Sequence, residues 1–183
     1  MNLYQKWCIR KAQIKIDRLN KYYASSDTIL DMGSGNCALI KLTEDQVKRI
    51  TPLDISNKSA FKKIQPILYD GSILPFEDKS FDIVQLITVL HHIPNPETAI
   101  KEAQRVGKKV IVMEDIYETT IQKYITFIAD SINNWEFAGH PHTNMTDDEW
   151  RKLFDILGLE VKEVEYYDFL LLFKQVTYVL ESR

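Results

Sequence analysis

Apolar residues along the chain follow a helical spacing in some stretches and form short continuous runs in others, and the alternation lays out the fold. Ile9, Ala12, Ile16, Leu19 and Tyr23 recur at helical spacing, which predicts an amphipathic helix within residues 1–24. Ile29 and Leu30 then form a short strand that ends on Asp31 and runs into Gly33-Ser34-Gly35. Helices are predicted over residues 39–48 and 56–63, with strands over 50–53 and 66–69. Pro52 cannot donate to a ladder, so the second strand is expected to be short or irregular. Residues 81–90, FDIVQLITVL, make the continuous apolar run that a strand buried on both faces requires. Pro94 and Pro96 break the chain before a helix over 97–105, and residues 109–113 form a fifth strand ending in Glu114 and Asp115.

Strands alternating with helices predict a doubly wound, mostly parallel α/β sheet with right-handed crossovers. Residues 119–131 read as an amphipathic helix inside a lid-like insertion at 116–146. Thr146-Asp147-Asp148-Glu149 is a capping box that starts a helix running to Leu157, where Gly158 stops it. The ending reads as two strands with a turn near Asp168, which places an antiparallel hairpin on one edge of the sheet. The pattern contains no repeat or linker, so residues 1–183 are read as a single domain.

Composition narrows the setting. A 45% apolar and 27% charged chain is ordinary for a globular protein. No apolar run approaches the roughly 20 residues that span a bilayer, and the start, MNLYQKWCIRK, lacks an apolar segment of signal-peptide type. Two cysteines, Cys8 and Cys37, do not make a disulfide framework, and a reducing cytoplasmic setting fits them better. The net charge of −3 is uneven: residues 1–24 carry six basic residues against Asp17, which leaves the remainder strongly acidic. That basic helix lies on the domain as a solvated face, or else meets an anionic surface. A nucleic-acid partner therefore stays open, and so does the oligomeric state.

The chemistry concentrates at residues 28–54. Gly33-Ser34-Gly35-Asn36-Cys37-Ala38 fits the dinucleotide pattern G-x-G-x-x-A, and Asp54 stands where an acid would bind a ribose. Two observations argue against a dinucleotide. Asp31 would crowd a pyrophosphate, since like charges at ~4 Å cost on the order of 1 kcal/mol even in water. A dehydrogenase also needs a second half that a chain of 183 residues does not supply. An acid in that position suits a ligand with a cationic amino-acid end. ILDMGSGNC resembles the first motif of class I S-adenosylmethionine-dependent methyltransferases, and PLDIS is similar to their second. YDGSILPFEDKSFDIV looks like the third and fourth, and VLHHIPNPETAIKEAQRV with KKVIVMEDI resembles the small-molecule-type (methyltransferase type 11-like) branch through strand five. The resemblance spans roughly residues 29–115.

It implies the class I methyltransferase fold, a seven-stranded sheet with a reversed last strand. It also implies S-adenosylmethionine as cofactor, with S-adenosylhomocysteine as product. The implied cofactor-binding positions are Asp31, Gly33, Ser34, Gly35, Asp54, Ile55, Asp70, Gly71, Ser72, Leu86 and Ile87, with Asp54 on the ribose and Asp70 beside the adenine amino group. Two departures stand out: Cys37 replaces the third glycine of the turn, and the turn before strand five is cut to Gly107-Lys108.

Methyl transfer from a sulfonium needs positioning and, for some acceptors, a base. His91 and Glu114, at the carboxyl ends of strands four and five, are the candidate catalytic residues. The structural alternatives are that His91 and His92 close a strand and that Glu114 bonds nearby backbone. His140 and His142 fall in a loop without metal-ligand spacing, so no metal is expected. Trp7, Trp135 and Trp150 read as core or lid packing. The expected function is methyl transfer to a small-molecule acceptor; the alternatives are an RNA or protein methyltransferase, or a non-catalytic member that binds the cofactor or a partner chain. Leu86-Ile87-Thr88-Val89 stands where amino-group nucleic-acid methyltransferases carry Asn-Pro-Pro-Tyr, which weighs against the RNA reading.

Overall fold

A computed structural model describes residues 1–118, 122, 144–169 and 173–183. The strands are β1 (Thr28–Met32), β2 (Arg49–Asp54), β3 (Ile67–Leu68), β4 (Phe81–Ile87), β5 (Gly107–Ile116), β6 (Leu159–Phe169) and β7 (Phe173–Ser182). Among the described residues they form a seven-stranded sheet in the order β3-β2-β1-β4-β5-β7-β6. β1 is parallel to β2 and β4, β2 is parallel to β3, and β7 is antiparallel to both β5 and β6. This is the doubly wound α/β sheet that the residue pattern predicts, with the reversed final strand that the resemblance implies. The helices are α1 (Leu3–Leu19), α2 (Ala38–Thr43), α3 (Pro96–Val106) and α4 (Asp147–Ile156).

The chain forms two compact units, residues 1–85 with 105–108, and residues 86–104 with 109–183. In the first, α1 begins with a capping box at Asn2 and Gln5, and it buries Cys8, Ala12, Ile16 and Leu19 along one face. Cys8 and Ala12 join Cys37, Ala38, Ile40, Phe61 and Ile64 in one apolar cluster. Burying side chains of this kind contributes roughly 1.5–3 kcal/mol for each of the larger ones. Trp7 lies on the opposite, exposed face, stacked on Tyr4 with the Lys11 ammonium 4.0 Å from its ring centre. Thr28, at the start of β1, is pinned to β4 by Asp82, which accepts from its N–H (2.9 Å) and its hydroxyl (2.7 Å).

In the second unit, α3 starts at an Asn95-Pro96 step, where proline gives up an N–H that the first turn leaves unpaired anyway. The capping box at Thr146 and Glu149 starts α4 as predicted. Its Trp150 and Phe154 are buried, with Phe154 edge-on to Tyr178 of β7. Asp147 fastens α4 to the closing hairpin by accepting from Tyr178 (2.5 Å) and Tyr166 (2.7 Å).

Three expectations are corrected. Residues 56–63 hold no helix: Asn57 Oδ1 accepts the Ser59 N–H and Ser59 Oγ accepts the Phe61 N–H, so local side chains capture donors that a helix would use. The first crossover helix is α2 alone, shorter than 39–48, and passes into a turn after Glu44. β3 is two residues and β4 stops at Ile87, where Thr88 turns to φ 52° and Leu90–His92 form a 3-10 turn. The last register pairs of the hairpin are Asp168 with Lys174 and Phe169 with Phe173, as a turn near Asp168 predicts. Pro52 is accommodated because β3 pairs with β2 only at Leu53 and Asp54, beyond the missing N–H. The helix expected at 119–131, most of the lid-like insertion, Trp135, His140 and His142 lie outside the described residues.

Candidate active site

β1 and β4 are neighbours, and Asp31 and Gln85 are register partners at the carboxyl end of β1. The connections after these two strands leave in opposite directions along the sheet, and ligands of open α/β sheets bind at such a point. The turn that follows β1 is built on backbone bonds. Gly33 N–H and Ser34 N–H both donate to Leu53 O (2.8 and 3.1 Å), and Ser34 Oγ donates to Asp31 O and Leu53 O. Gly33 (φ 83°) and Gly35 (φ 50°) occupy the left-handed region, which glycine enters without a Cβ penalty. Asp54 holds the turn to the end of β2: its Oδ2 accepts Gly35 N–H (2.8 Å) and its Oδ1 accepts Ser56 N–H (3.1 Å).

Cys37, at the position of the usual third glycine, is the residue before α2 and also adopts a left-handed conformation (φ 58°). The backbone keeps the glycine-like geometry while the side chain joins the apolar cluster. Burial pushes its thiol up to about 11.

Asp31 is the unusual member. It is 2% exposed; Oδ1 accepts from Gln85 Nε2 (2.7 Å), and Oδ2 is buried with no hydrogen-bond partner. Tyr23 extends the chain by donating its hydroxyl to Gln85 Oε1 (2.5 Å). Burial pushes the Asp31 carboxyl up to about 6; Gln85 and Lys15 oppose the rise, and the charge of Asp54 adds to it. A buried carboxylate oxygen with no donor is costly, so its environment suits an incoming cation.

Asp70 is exposed after β3, and its Oδ1 accepts from the Ser72 hydroxyl (2.6 Å) and N–H (2.9 Å), which hold the carboxyl below its usual value. Gly71 (φ 86°) places an imagined Cβ 3.5 Å from Ile55, whose side chain is exposed. The fold thus brings Asp31, Gly33, Ser34, Gly35 and Asp54 together in one hydrogen-bonded turn, with Ile55 next to Gly71. Leu86 and Ile87 are buried at the end of β4 and, as successive strand residues, point to opposite faces. A groove of about 460 Å³ at Arg49, Ile67 and Phe81 includes the first residues of β2 and β4, away from these carboxyl ends.

In the second unit, Glu114 of β5 is fully buried and saturated. Its Oε1 accepts Val89 N–H (2.8 Å) and Leu90 N–H (2.7 Å), and its Oε2 sits 2.6 Å from His91 Nδ1. The preceding Thr88 takes φ 52°, a strained geometry for a β-branched residue, and its N–H donates to Met113 O (2.6 Å). The structure therefore pairs the two predicted catalytic residues and encloses the carboxylate of one of them. Sequence reasoning missed Tyr23, Gln85 and Thr88. The signal for Gln85 was available, as the one amide inside an apolar run. Tyr23 falls in the apolar helical stripe, and nothing in the residue pattern marks Thr88.

The family described as a methyltransferase domain matches residues 30–110, a span that opens at β1 and closes in β5. The matched span contains the glycine turn, Asp31, Asp54 and Asp70, and both histidines of the 3-10 turn. Comparison with curated protein sequences found no match. Solved structures share the fold at low identity. A methyltransferase from Archaeoglobus fulgidus, described as S-adenosylmethionine-dependent, has a TM-score of 0.75 at 14% identity, covering 95% of this chain and 94% of that one. A Haloferax volcanii structure of the Trm112 methyltransferase activator with a methyltransferase matches at TM-score 0.70 and 18% identity, covering 98% and 95%. The [4+2]-cyclase SpnF matches at 0.69 and 13%, covering 95% and 80%. At such identities the likeness concerns the fold alone.

Proposed function

We propose that the protein is an S-adenosylmethionine-dependent methyltransferase acting on a small-molecule acceptor. The observation that carries the cofactor is the buried, unpartnered Asp31 Oδ2 beside the glycine turn. Asp31 is the group to receive the ammonium of the cofactor's methionine end, and the backbone turn of Gly33, Ser34 and Gly35 lines that end. Asp54 keeps lone pairs beyond its two backbone bonds for the ribose hydroxyls, and Asp70 stands for the adenine amino group. When bound, the cofactor supplies an electrophilic methyl group on a sulfonium.

His91 is the candidate base, with Glu114 as its positioning residue. Glu114 Oε2 favours the Nδ1–H tautomer of His91, which makes Nε2 the basic nitrogen that receives a proton from the acceptor. The resemblance of VLHHIPNPETAIKEAQRV to the small-molecule branch supports that acceptor class. No helix among the described residues is long and apolar enough to cross a membrane, and two free cysteines favour a reducing compartment such as the cytoplasm.

Isothermal titration with S-adenosylmethionine and S-adenosylhomocysteine tests the cofactor, with binding expected for the native protein and lost in Asp31→Ala. Absence of binding by the native protein overturns the proposal. A methylation screen of small-molecule pools then addresses the acceptor. One observation favours a second reading, an RNA acceptor: α1 exposes Lys6, Arg10 and Lys11 on its outer face. Methylation of RNA that weakens steeply with salt would select it over the small-molecule reading.

A further inference from the structure

We propose that Gln85 and Tyr23 are positioning residues that hold Asp31 in its ionised, cation-receiving form. The proposal rests on the cofactor reading above and concerns how the site is prepared for the cation. Three buried or half-buried side chains form one line: Tyr23 hydroxyl to Gln85 Oε1 (2.5 Å), then Gln85 Nε2 to Asp31 Oδ1 (2.7 Å). Gln85 is fully buried, so both ends of its amide need partners. An ionised Asp31 only accepts, which turns the amide so that Nε2 faces it. That orientation leaves Oε1 facing Tyr23, whose hydroxyl is the donor that satisfies it. The line therefore runs from donor to acceptor in one direction and ends on the carboxylate. Its bonds strengthen one another in that direction.

The arrangement occupies one oxygen of Asp31 and leaves the other buried and unpaired. It also sets the balance of charge there. Lys15 on α1 acts with Gln85 to favour the ionised form; Asp54 at the end of β2 and burial itself oppose it. Tyr23, whose hydroxyl is pushed well up by burial and by the Asp31 charge, stays a neutral donor. Because Tyr23 follows α1 and its 3-10 extension (Asn20–Tyr22), the N-terminal segment is coupled to the cofactor-binding carboxylate through the line itself. Removing the amide donor raises the proton affinity of Asp31. Removing the hydroxyl leaves Gln85 Oε1 unsatisfied and weakens the same preference.

The test uses Tyr23→Phe and Gln85→Met in the full chain, with S-adenosylhomocysteine and 5′-methylthioadenosine as probes; the second lacks the amino-acid end. A hydrogen bond to a charged group corresponds to about a tenfold effect or more. The expected result for Gln85→Met is about tenfold weaker S-adenosylhomocysteine binding at pH 7 with 5′-methylthioadenosine binding unchanged. Tyr23→Phe gives a smaller loss in the same sense. The pH profile of binding shifts upward in both variants. Equal losses for the two probes, or no loss, overturn the proposal. Should Gln85→Met not fold, Tyr23→Phe, which deletes a single oxygen, carries the test. If the native protein binds neither probe, the cofactor reading falls, and the line is judged by carbon-13 NMR titration of the Asp31 carboxyl. An upward shift in the variants supports it, and an unchanged titration overturns it.

Discussion

Asp31→Asn removes a buried charge whose cost to the fold is readable from its environment. Burial pushes the carboxyl from 3.8 up to about 6, roughly a hundredfold gain in proton affinity and so about 3 kcal/mol. The folded state binds this proton more tightly than the unfolded chain. Between pH 3.8 and about 6 the folded protein keeps a proton that the unfolded chain has released, so the Asp31 contribution to stability falls as pH rises. The relief is fully present below pH 3.8, and the penalty is complete above about pH 6. Asparagine carries no such dependence. It sets an amide N–H₂ where Oδ2 lacked a partner, a pH-independent cost of about 1–3 kcal/mol. Urea unfolding of both proteins from pH 4 to 7.5 is the assay. The stability of Asp31→Asn minus that of the native chain should rise by about 2.5 kcal/mol across the range, whatever its offset. Carboxylates common to both proteins, such as Asp70 and Asp82, cancel in the difference. A flat difference refutes the reasoning.

Three further substitutions probe other links. Asp82→Ala removes the acceptor for Thr28 N–H, Thr28 hydroxyl and Lys108; urea unfolding should show a loss of about 1–2 kcal/mol at neutral pH. Lys108 first, and then the Thr28 donors, hold that carboxyl far below its usual 3.8, so the loss should persist at pH 4 and shrink only in stronger acid. Thr88→Gly should be more stable than Thr88→Ala by about 1 kcal/mol, because both lose the hydroxyl but only glycine relieves the left-handed backbone. Equal stabilities would show that the strain is absorbed elsewhere. Glu114→Gln keeps an oxygen for Val89 and Leu90 but faces His91 Nδ1 with a donor, which should cost about 1.5–3 kcal/mol in thermal unfolding. Its effect on turnover should appear in the pH profile, since the preferred His91 tautomer changes.

What was legible in the residues and what was not divides on physical grounds. The sheet was legible because buried parallel strands must be apolar throughout and glycine and proline punctuate their ends. The glycine turn was legible because a left-handed backbone admits few residue types. Residues 56–63 misled because Ser59 and Asn57 bond to backbone within two residues, and helical spacing carries no information about that competition. Gln85 was overlooked inside FDIVQLITVL because its partners, Tyr23 and Asp31, come from distant parts of the chain. Cys37 is visible in the residues as a departure, but only the backbone shows that it keeps a left-handed, glycine-like geometry.

Two buried carboxylates, Asp31 and Glu114, illustrate how burial alone fails to define a role. Glu114 has three donors on its two oxygens, and each comes from residues 89–91. Its charge is consumed in shaping the turn that carries His91, so a ligand gains little from it. Asp31 has a single hydrogen-bond donor, supplied by Gln85, and one buried oxygen with no hydrogen-bond partner. An interior group left in this condition is a liability of about 1–3 kcal/mol unless something completes it. Burial raises its proton affinity and the Asp54 charge adds to the rise, while Gln85 and Lys15 oppose it, which leaves the carboxyl at about 6. A fully satisfied carboxylate in that place would stabilise the protein more and bind a cation less. The incomplete hydrogen bonding of Asp31 is thus the strongest argument for its function, and the completeness of Glu114 is the argument that it serves by holding His91.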